Sequence, residues 1–227
     1  MENIDVKIEY LYNSGFTVET ENFFLVFDYW KSVEVRDVAD RLPVGKKVVV
    51  FASHSHGDHY NPDIFLWRER NPGIEYVLSS EIRPKAEGVG MHRMSRYREL
   101  ELGGLSVKTF GSTDLGVSFL VKADGISIFH AGDLNWWDWY DETPENNRAM
   151  EERFKKEIGR IKGEEIDIAF FPVDPRLKES YRLGADYFVS EVGPRFLIPM
   201  HYGEEAWVND EFPDLARFAG QERTIER

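Results

Sequence analysis

The apolar positions of the first half fall into short runs separated by turn residues. Residues 6–11, 16–20 and 23–28 are β-branched and aromatic stretches, and Asn13-Ser14-Gly15 and Glu21-Asn22 break them as turns would. The pattern predicts an antiparallel meander. Residues 47–52, Lys-Val-Val-Val-Phe-Ala, form a continuous apolar run, as expected of a strand covered on both faces. Asn61-Pro62 opens a predicted helix that runs to about residue 70, with Pro62 suited to its first turn. A strand over 74–79 and a short helix near 81–87 follow.

The second half repeats this logic. Residues 105–110, 117–121 and 126–130 read as strands, with Gly125 in the turn between the last two. Residues 144–162 read as a helix, because Met150, Phe154, Ile158 and Ile161 recur on one face. Thr143-Pro144 supplies its N-cap and first-turn proline. A buried strand is expected over 166–171 and a second helix over 176–192, with Tyr181, Ala185, Phe188 and Val192 on one side. A last strand over 196–200 ends at His201, and the tail from Gly203 reads as a short helix with a loose end. No linker, low-complexity tract or short repeat divides the chain. The β-then-α order of both halves predicts two similar layers packed in one domain over residues 1–227.

Composition narrows the function. A hydrophobic content of 42% with 14% aromatics argues against disorder. Twenty-eight Lys+Arg against 41 Asp+Glu leave a net charge of −13, which disfavours nucleic acid and anionic membranes as partners. The absence of cysteine excludes disulfides, a thiol nucleophile and thiolate metal ligands. The first residues, Met1-Glu2-Asn3-Ile4-Asp5, lack the features of a signal peptide, and no run approaches the ~18 apolar residues of a membrane span. The expected location is cytoplasmic.

Residues 53–60 read Ser-His-Ser-His-Gly-Asp-His-Tyr and hold three of the six histidines. On an extended chain, residues i and i+2 point the same way, so His54 and His56 can converge on one point. Once Gly57 turns the chain, Asp58 and His59 can face a second point close by. Imidazole and carboxylate suit Zn²⁺, and also Fe or Mn. A merely solvated histidine-rich loop is the alternative, but it leaves these polar groups without a partner beside a buried strand.

The pattern His54-x-His56-x-Asp58-His59 after an apolar strand resembles the signature of the metallo-β-lactamase-fold hydrolase superfamily. Further landmarks follow in order: Asp28 at the end of an early strand, Gly132-Asp133 after Phe129-His130, and His201 after Pro199-Met200. Within that superfamily the chain looks most like the small uncharacterised metal-dependent hydrolases and ascorbate-phosphate lactonase-like enzymes. The resemblance implies an α+β fold, a four-layer αβ/βα sandwich with the metals at one edge. It implies His54, His56, Asp58, His59, Asp133 and His201 as metal ligands, Asp133 as a bridge, and Asp28 as a brace of the metal loop. It further implies one or two divalent ions, zinc first and manganese or iron as alternatives. The implied function is hydrolysis of a small ester, lactone or phosphodiester by a metal-activated water, with Asp58 as ligand and a share in proton transfer.

One landmark departs. Where the family has a histidine in a Gly-His-Thr context, this chain reads Gly111-Ser112-Thr113-Asp114. The site of His54 and His56 is then one ligand short. Asp114 can replace the missing ligand, water or substrate can fill the gap, or only the second site is occupied. The same departure keeps open a second function, a non-catalytic or degenerate metal-binding protein of the same fold. Nucleic-acid processing sits badly with the charge. A di-iron oxygen-reducing protein sits badly with His56, where that branch has glutamate. His130 reads as a packed histidine holding the aspartate loop, and His92 as a surface-loop residue. Trp136, Trp137, Trp139 and Tyr140 read as a core or lid anchor or as an aromatic wall, with Trp136 and Asn135 as the candidate substrate contacts. Asp174 reads more simply as a helix cap, and Tyr202 as a weak cleft candidate. The expected partner is a small molecule, anionic ones included, because divalent ions bring positive charge into an otherwise acidic protein.

Overall fold

The computed structural model describes residues 3–30, 38–84, 88–212 and 222–226. Strands β1 (Asn3–Tyr12), β2 (Gly15–Glu19) and β3 (Phe23–Phe27) form the expected meander, and β4 (Lys47–Ala52), β5 (Glu75–Ser79) and β6 (Met91–Met94) extend it in parallel. Strand β13 (Glu222–Glu226) closes the other edge, antiparallel to β1. The second sheet has β7 (Glu99–Leu102), β8 (Leu105–Phe110), β9 (Ser118–Ala123) and β10 (Ile126–His130) antiparallel in sequence. It continues in parallel through β11 (Ile168–Pro172) and β12 (Phe196–Met200). Both sheets switch from antiparallel to parallel, so the two layers are similar, as the repeated order of the two halves predicts.

The period-2 rule separates two cores. Phe23, Leu25 and Phe27 of β3 and Val49 and Phe51 of β4 join the core between the sheets, while Phe24, Val26, Val48 and Val50 pack on the outer face. Both faces of β4 are covered, which is why its sequence does not alternate. Helix α1 (Pro144–Ile161) adds Phe154, Ile158 and Ile161 to the central core from the far side of the second sheet. Thr143 caps it as expected, its side chain accepting from the Asn146 N–H at 3.2 Å.

On the outer face of the first sheet the covering helix over Pro62–Glu69 is 3₁₀, not α. Its buried residues Ile64 and Trp67 lie three apart, the spacing that eclipses on a 3₁₀ turn. The helix predicted over 176–192 is broken into a 3₁₀ segment, Pro175–Ser180, and α2 (Leu183–Val192). Lys178 has φ 53° inside the first piece, and no helix runs through a left-handed residue. The short helix expected near 81–87 is absent from residues 81–84, which are turn and irregular, and 85–87 lie outside the described residues. Strands β6 and β7 are sheet-edge strands that the sequence reading missed. The tail gives a short helix α3 (Val208–Glu211) and then β13, a strand where only a loose end was expected; residues 213–221 lie outside the described residues. No helix among the described residues is long and apolar enough to cross a membrane.

Candidate metal centre

The two sheets bring the carboxyl ends of their parallel strands to one edge, where sites of such sheets form. Asp28 follows β3, His54 follows β4, Asp133 follows β10, Asp174 follows β11 and His201 follows β12. Two glycines permit the close approach of these loops. Gly116 (φ +73°) leaves no room for a Cβ, which would lie 1.9 Å from the Ser53 carbonyl oxygen, and at Gly132 (φ +54°) a Cβ would lie 2.8 Å from the Ser53 Cβ.

Seven of the sequence-predicted residues meet here. His54 Nε2 and His56 Nδ1 approach to 3.0 Å, so these two converge as their i, i+2 spacing predicts. His54 Nε2 lies 3.3 Å from Asp133 Oδ2. His59 Nε2 and His201 Nε2 lie 3.1 Å and 3.4 Å from the other oxygen, Oδ1. Asp58 Oδ2 is 3.7 Å from His59 Nε2 and 3.9 Å from His201 Nε2. Asp114 Oδ2 comes within 3.7 Å of His56 Nδ1. The ligand-type atoms thus gather into two principal groups: His54, His56, Asp114 and Asp133, and Asp58, His59 and His201. Asp133 turns one oxygen toward each.

The histidines are held from behind. Asp28 accepts from the Ser53 backbone N–H at 2.7 Å, from the Ser53 hydroxyl at 2.6 Å and from His59 Nδ1 at 2.8 Å. Asp174 plays the same part in the second sheet, accepting from His201 Nδ1 at 3.0 Å. In both cases Nδ1 is engaged and Nε2 is left facing the cleft, as carboxylates behind ligand histidines arrange. Asp28 (φ 42°) and His201 (φ 65°) both sit in left-handed backbone, a strain that clusters at functional sites. His130 is buried and fixed at both nitrogens: Nε2 donates to the Ser14 carbonyl at 2.8 Å and Nδ1 accepts from the Gly132 N–H at 3.2 Å. Those roles require a neutral ring, and burial lowers its pKa accordingly.

Charge in the centre is carried elsewhere. Burial opposes protonation of His59, but the carboxylates of Asp133 and Asp28 outweigh it and push the ring up to about 10. Burial likewise opposes ionisation of Asp133, and His54 and His59 overcome it, holding the carboxyl well below its usual range. Asp28 is also held low, its burial outweighed by the rings of His130, His59 and His54 around it and by the hydrogen bond from His59. A histidine whose folded pKa lies above its unfolded value of ~6.5 stabilises fully below that pH and loses the effect as pH rises toward the folded pKa. For His59 the window runs from ~6.5 to about 10. The urea midpoint of chelator-treated protein is expected to fall across it. Metal-saturated protein should not follow, because the deprotonated ring is the ligand form. A flat profile for the chelated protein would place the proton elsewhere.

The residues fit a divalent ion. His59 Nε2 and Asp133 Oδ1 are buried and approach closely, yet neither has a hydrogen-bond partner among the described residues. Buried polar atoms are rarely left so, and a cation is the partner a nitrogen lone pair and a carboxylate oxygen share. The donor set is imidazole and carboxylate with no thiolate, suited to zinc, iron or manganese.

A cleft of about 350 Å³ opens onto this cluster, lined by His56, Asp58, Asp114, Asp133 and His201 and walled by Trp137, Trp139 and Arg176. The aromatic wall is therefore Trp137 and Trp139, whose rings stack at 6.0 Å, and not the pair Trp136 and Asn135 expected from sequence. Trp136 packs on Phe154 and Tyr187 at the core, and Asn135 is buried against Gly184. Alternation after Asp133 decides this, since the chain turns there and sends Trp137 back, its indole N–H donating to the Asp133 carbonyl at 3.1 Å. Ser112 is not at the cluster; its hydroxyl accepts from the Asp114 N–H at 3.2 Å and so shapes the turn that presents Asp114. His92 is on β6, bonded to Glu75 and away from the site. Tyr202 is buried, stacked on Tyr10 at 5.2 Å.

Sequence reasoning missed Asn13, Arg176 and the bracing role of Asp174. Asn13 Nδ2 donates to Asp58 Oδ2 at 3.1 Å, and nothing in its turn sequence announces that. Asp174 had a signal: like Asp28, it follows a buried strand in the corresponding half of the chain.

Comparison with known proteins places this geometry in a class. Igni18, a metallo hydrolase from Ignicoccus hospitalis, superposes with a TM-score of 0.68 at 18% identity, over 98% of this chain and 99% of that one. The metallo-β-lactamase fold protein YhfI from Bacillus subtilis superposes at 0.61 and 12% identity over 100% of both. The fold is the metallo-β-lactamase fold. The description "Beta-lactamase superfamily domain" matches residues 7–138, more than half of the chain, and the chain belongs to that superfamily. Among its relatives are a "UPF0173 metal-dependent hydrolase" of Alkaliphilus metalliredigens, 22% identical over 87% of this chain and 85% of that protein, and one of Pyrococcus furiosus, 26% identical over 97% and 95%.

Proposed function

We propose that the protein is a metal-dependent hydrolase of small esters, lactones or phosphodiesters. The observation that carries this reading is the pair of partnerless buried atoms, His59 Nε2 and Asp133 Oδ1, at the centre of a braced imidazole and carboxylate cluster that opens onto a cleft. The names of the Alkaliphilus and Pyrococcus relatives support it. His54, His56 and Asp114 would hold one divalent ion and Asp58, His59 and His201 a second, with Asp133 shared between them. Zinc is the first choice, manganese and iron the alternatives. Such an ion lowers the pKa of water from ~15.7 toward ~7 and polarises a carbonyl or phosphoryl oxygen.

The chain's own residues do the rest. Asp28 and Asp174 fix the tautomers of His59 and His201 so that both Nε2 atoms face the cleft. Asn13 pins one oxygen of Asp58, and the other carries no hydrogen bond among the described residues, free to accept a proton at the cleft mouth. Trp137, almost fully buried, and Trp139 keep one side of the cleft dry. With a net charge of −13, the fitting partners are small molecules, anionic ones included, rather than nucleic acid or a membrane surface, and the expected setting is the cytoplasm.

Chelator-stripped protein, assayed on p-nitrophenyl esters, lactones and phosphodiesters, tests this. Turnover should appear on addition of Zn²⁺, Mn²⁺ or Fe²⁺ and vanish in His201→Ala. Metal uptake without turnover on any of these substrates would favour the non-catalytic metal-binding reading.

A further inference from the structure

We infer that Arg176 is an anion-binding residue of the cleft, and that the molecule bound there carries a carboxylate or phosphate group. This deepens the hydrolase reading and relies on it only in calling that molecule a substrate.

Two clefts meet at the centre. The tryptophan-walled one is about 350 Å³, and a polar one of about 420 Å³ is lined by Asn13, Asp174, Tyr202 and Glu205. Asp58, His201 and Arg176 line both. Arg176 is the single Lys or Arg among the described residues lining either, whereas carboxylates line both: Asp58, Asp114 and Asp133 in the first, Asp58, Asp174 and Glu205 in the second. In a chain of net charge −13, this guanidinium is the fixed protein cation that an incoming anion meets.

Its geometry suits that role. One edge is pinned: Nε donates to both oxygens of Asp174 at 2.9 and 3.0 Å, and Nη2 to Oδ2 at 2.5 Å. Asp174 is 1% exposed and also accepts from His201 Nδ1 and from the Arg176 backbone N–H. The other edge is open. Nη1 has no partner among the described residues, and the side chain is 65% exposed despite the buried carboxylate behind it. An arginine present only to neutralise Asp174 has no need of that open edge. A fork already fixed on one side presents the other with little further loss of rotamer freedom, and its flat geometry matches carboxylate and phosphate. The guanidinium also lies 5.7 Å from the ring of Trp139, so the cation adjoins the flat apolar wall. A ligand with a planar apolar part and an anionic end uses both.

Isothermal titration of the metal-loaded protein with phenyl phosphate, benzoate and benzamide tests the inference, since the three share a ring and differ in charge. The anionic probes should bind wild type more tightly than benzamide. Arg176→Gln should lose about tenfold or more for the anionic probes and leave benzamide unchanged, because hydrogen bonds to charged groups are worth about that much. The probe with the larger loss identifies carboxylate or phosphate as the preferred group. Metal content retained in Arg176→Gln excludes damage through Asp174 to His201. If that variant does not hold metal, Arg176→Lys decides: it keeps the charge beside Asp174 and should still weaken the anionic probes through loss of the fork. Unchanged anion affinity in a metal-loaded variant, or an equal loss for benzamide, overturns the inference. The titration needs no turnover, so failure of the hydrolase reading would show separately, in the stripped-and-restored assay.

Discussion

Asp133→Ala is expected to release both divalent ions and to lower metal-dependent turnover on the order of 10³-fold or more. The carboxylate is 5% exposed and stands between the two histidine groups. Its Oδ2 faces His54 Nε2 at 3.3 Å, and its Oδ1 faces His59 Nε2 and His201 Nε2 at 3.1 and 3.4 Å. Asp28 also lies near both His54 and His59, but its oxygens are engaged behind them with Ser53 and His59 Nδ1, so it does not replace Asp133 at the cleft. Asp133→Asn preserves volume and separates charge from packing; it too should lose metal, since an amide is a poor partner for a divalent ion. Metal analysis beside turnover checks both variants. One ion retained in Asp133→Ala would show that the two groups do not share this residue. The chelated variant offers a second reading, because His59 then loses one of the two carboxylates that raise its pKa and keeps Asp28. Its decline in stability should begin at the same pH of ~6.5 but be smaller and end at lower pH than in chelated wild type.

Asp114→Ala is expected to reduce occupancy from two ions to one. Asp114 is the carboxylate that reaches the His54–His56 pair where Ser112 leaves a gap, and Thr113 anchors its loop, the Thr113 hydroxyl donating to the Asn135 carbonyl at 2.6 Å. Asp114→Ala removes an exposed side chain, so its effect on folding should be small and the change should appear in metal content and turnover. Asp114→His should restore the second ion, imidazole being a ligand of the same site type. Unchanged occupancy of two ions in Asp114→Ala would assign the gap to water.

Much of this site is local, and local features are legible. The spacing of His54, His56, Asp58 and His59 marks the metal loop because strand period and a following turn act over a few residues. Apolar runs located β3, β4, β10 and β12 to within a residue or so, because buried strands write themselves in continuous hydrophobics, and alternation located β8. Edge strands do not. Met91-His92-Arg93-Met94 carries no alternation, and pairing along one side alone makes it a strand. Glu99-Leu100-Glu101-Leu102 does alternate, and there the signal was present but short. The break near Lys178 lies in backbone geometry that helix periodicity does not sense. Choosing between Trp136 and Trp137 as the cleft wall required the direction of the chain after Asp133, which the tertiary hydrogen bond of Trp137 sets. Asn13 and Arg176 belong to the same class, since Asn13 meets Asp58 only through tertiary pairing within the first sheet and Arg176 meets the cleft only once the sheets face each other.

That facing has a kinetic consequence. Asp28, His54 and His59 are carried by the seven-stranded sheet, and Asp133, Asp174 and His201 by the six-stranded one. Neither sheet alone assembles the cluster, and the hairpins β1–β2 and β8–β9 close over far shorter stretches of chain. Contacts of such long sequence separation form late. An ion held here therefore ties together two halves that have already docked. It should slow their separation, lowering the unfolding rate, while leaving the rate of their first encounter nearly untouched.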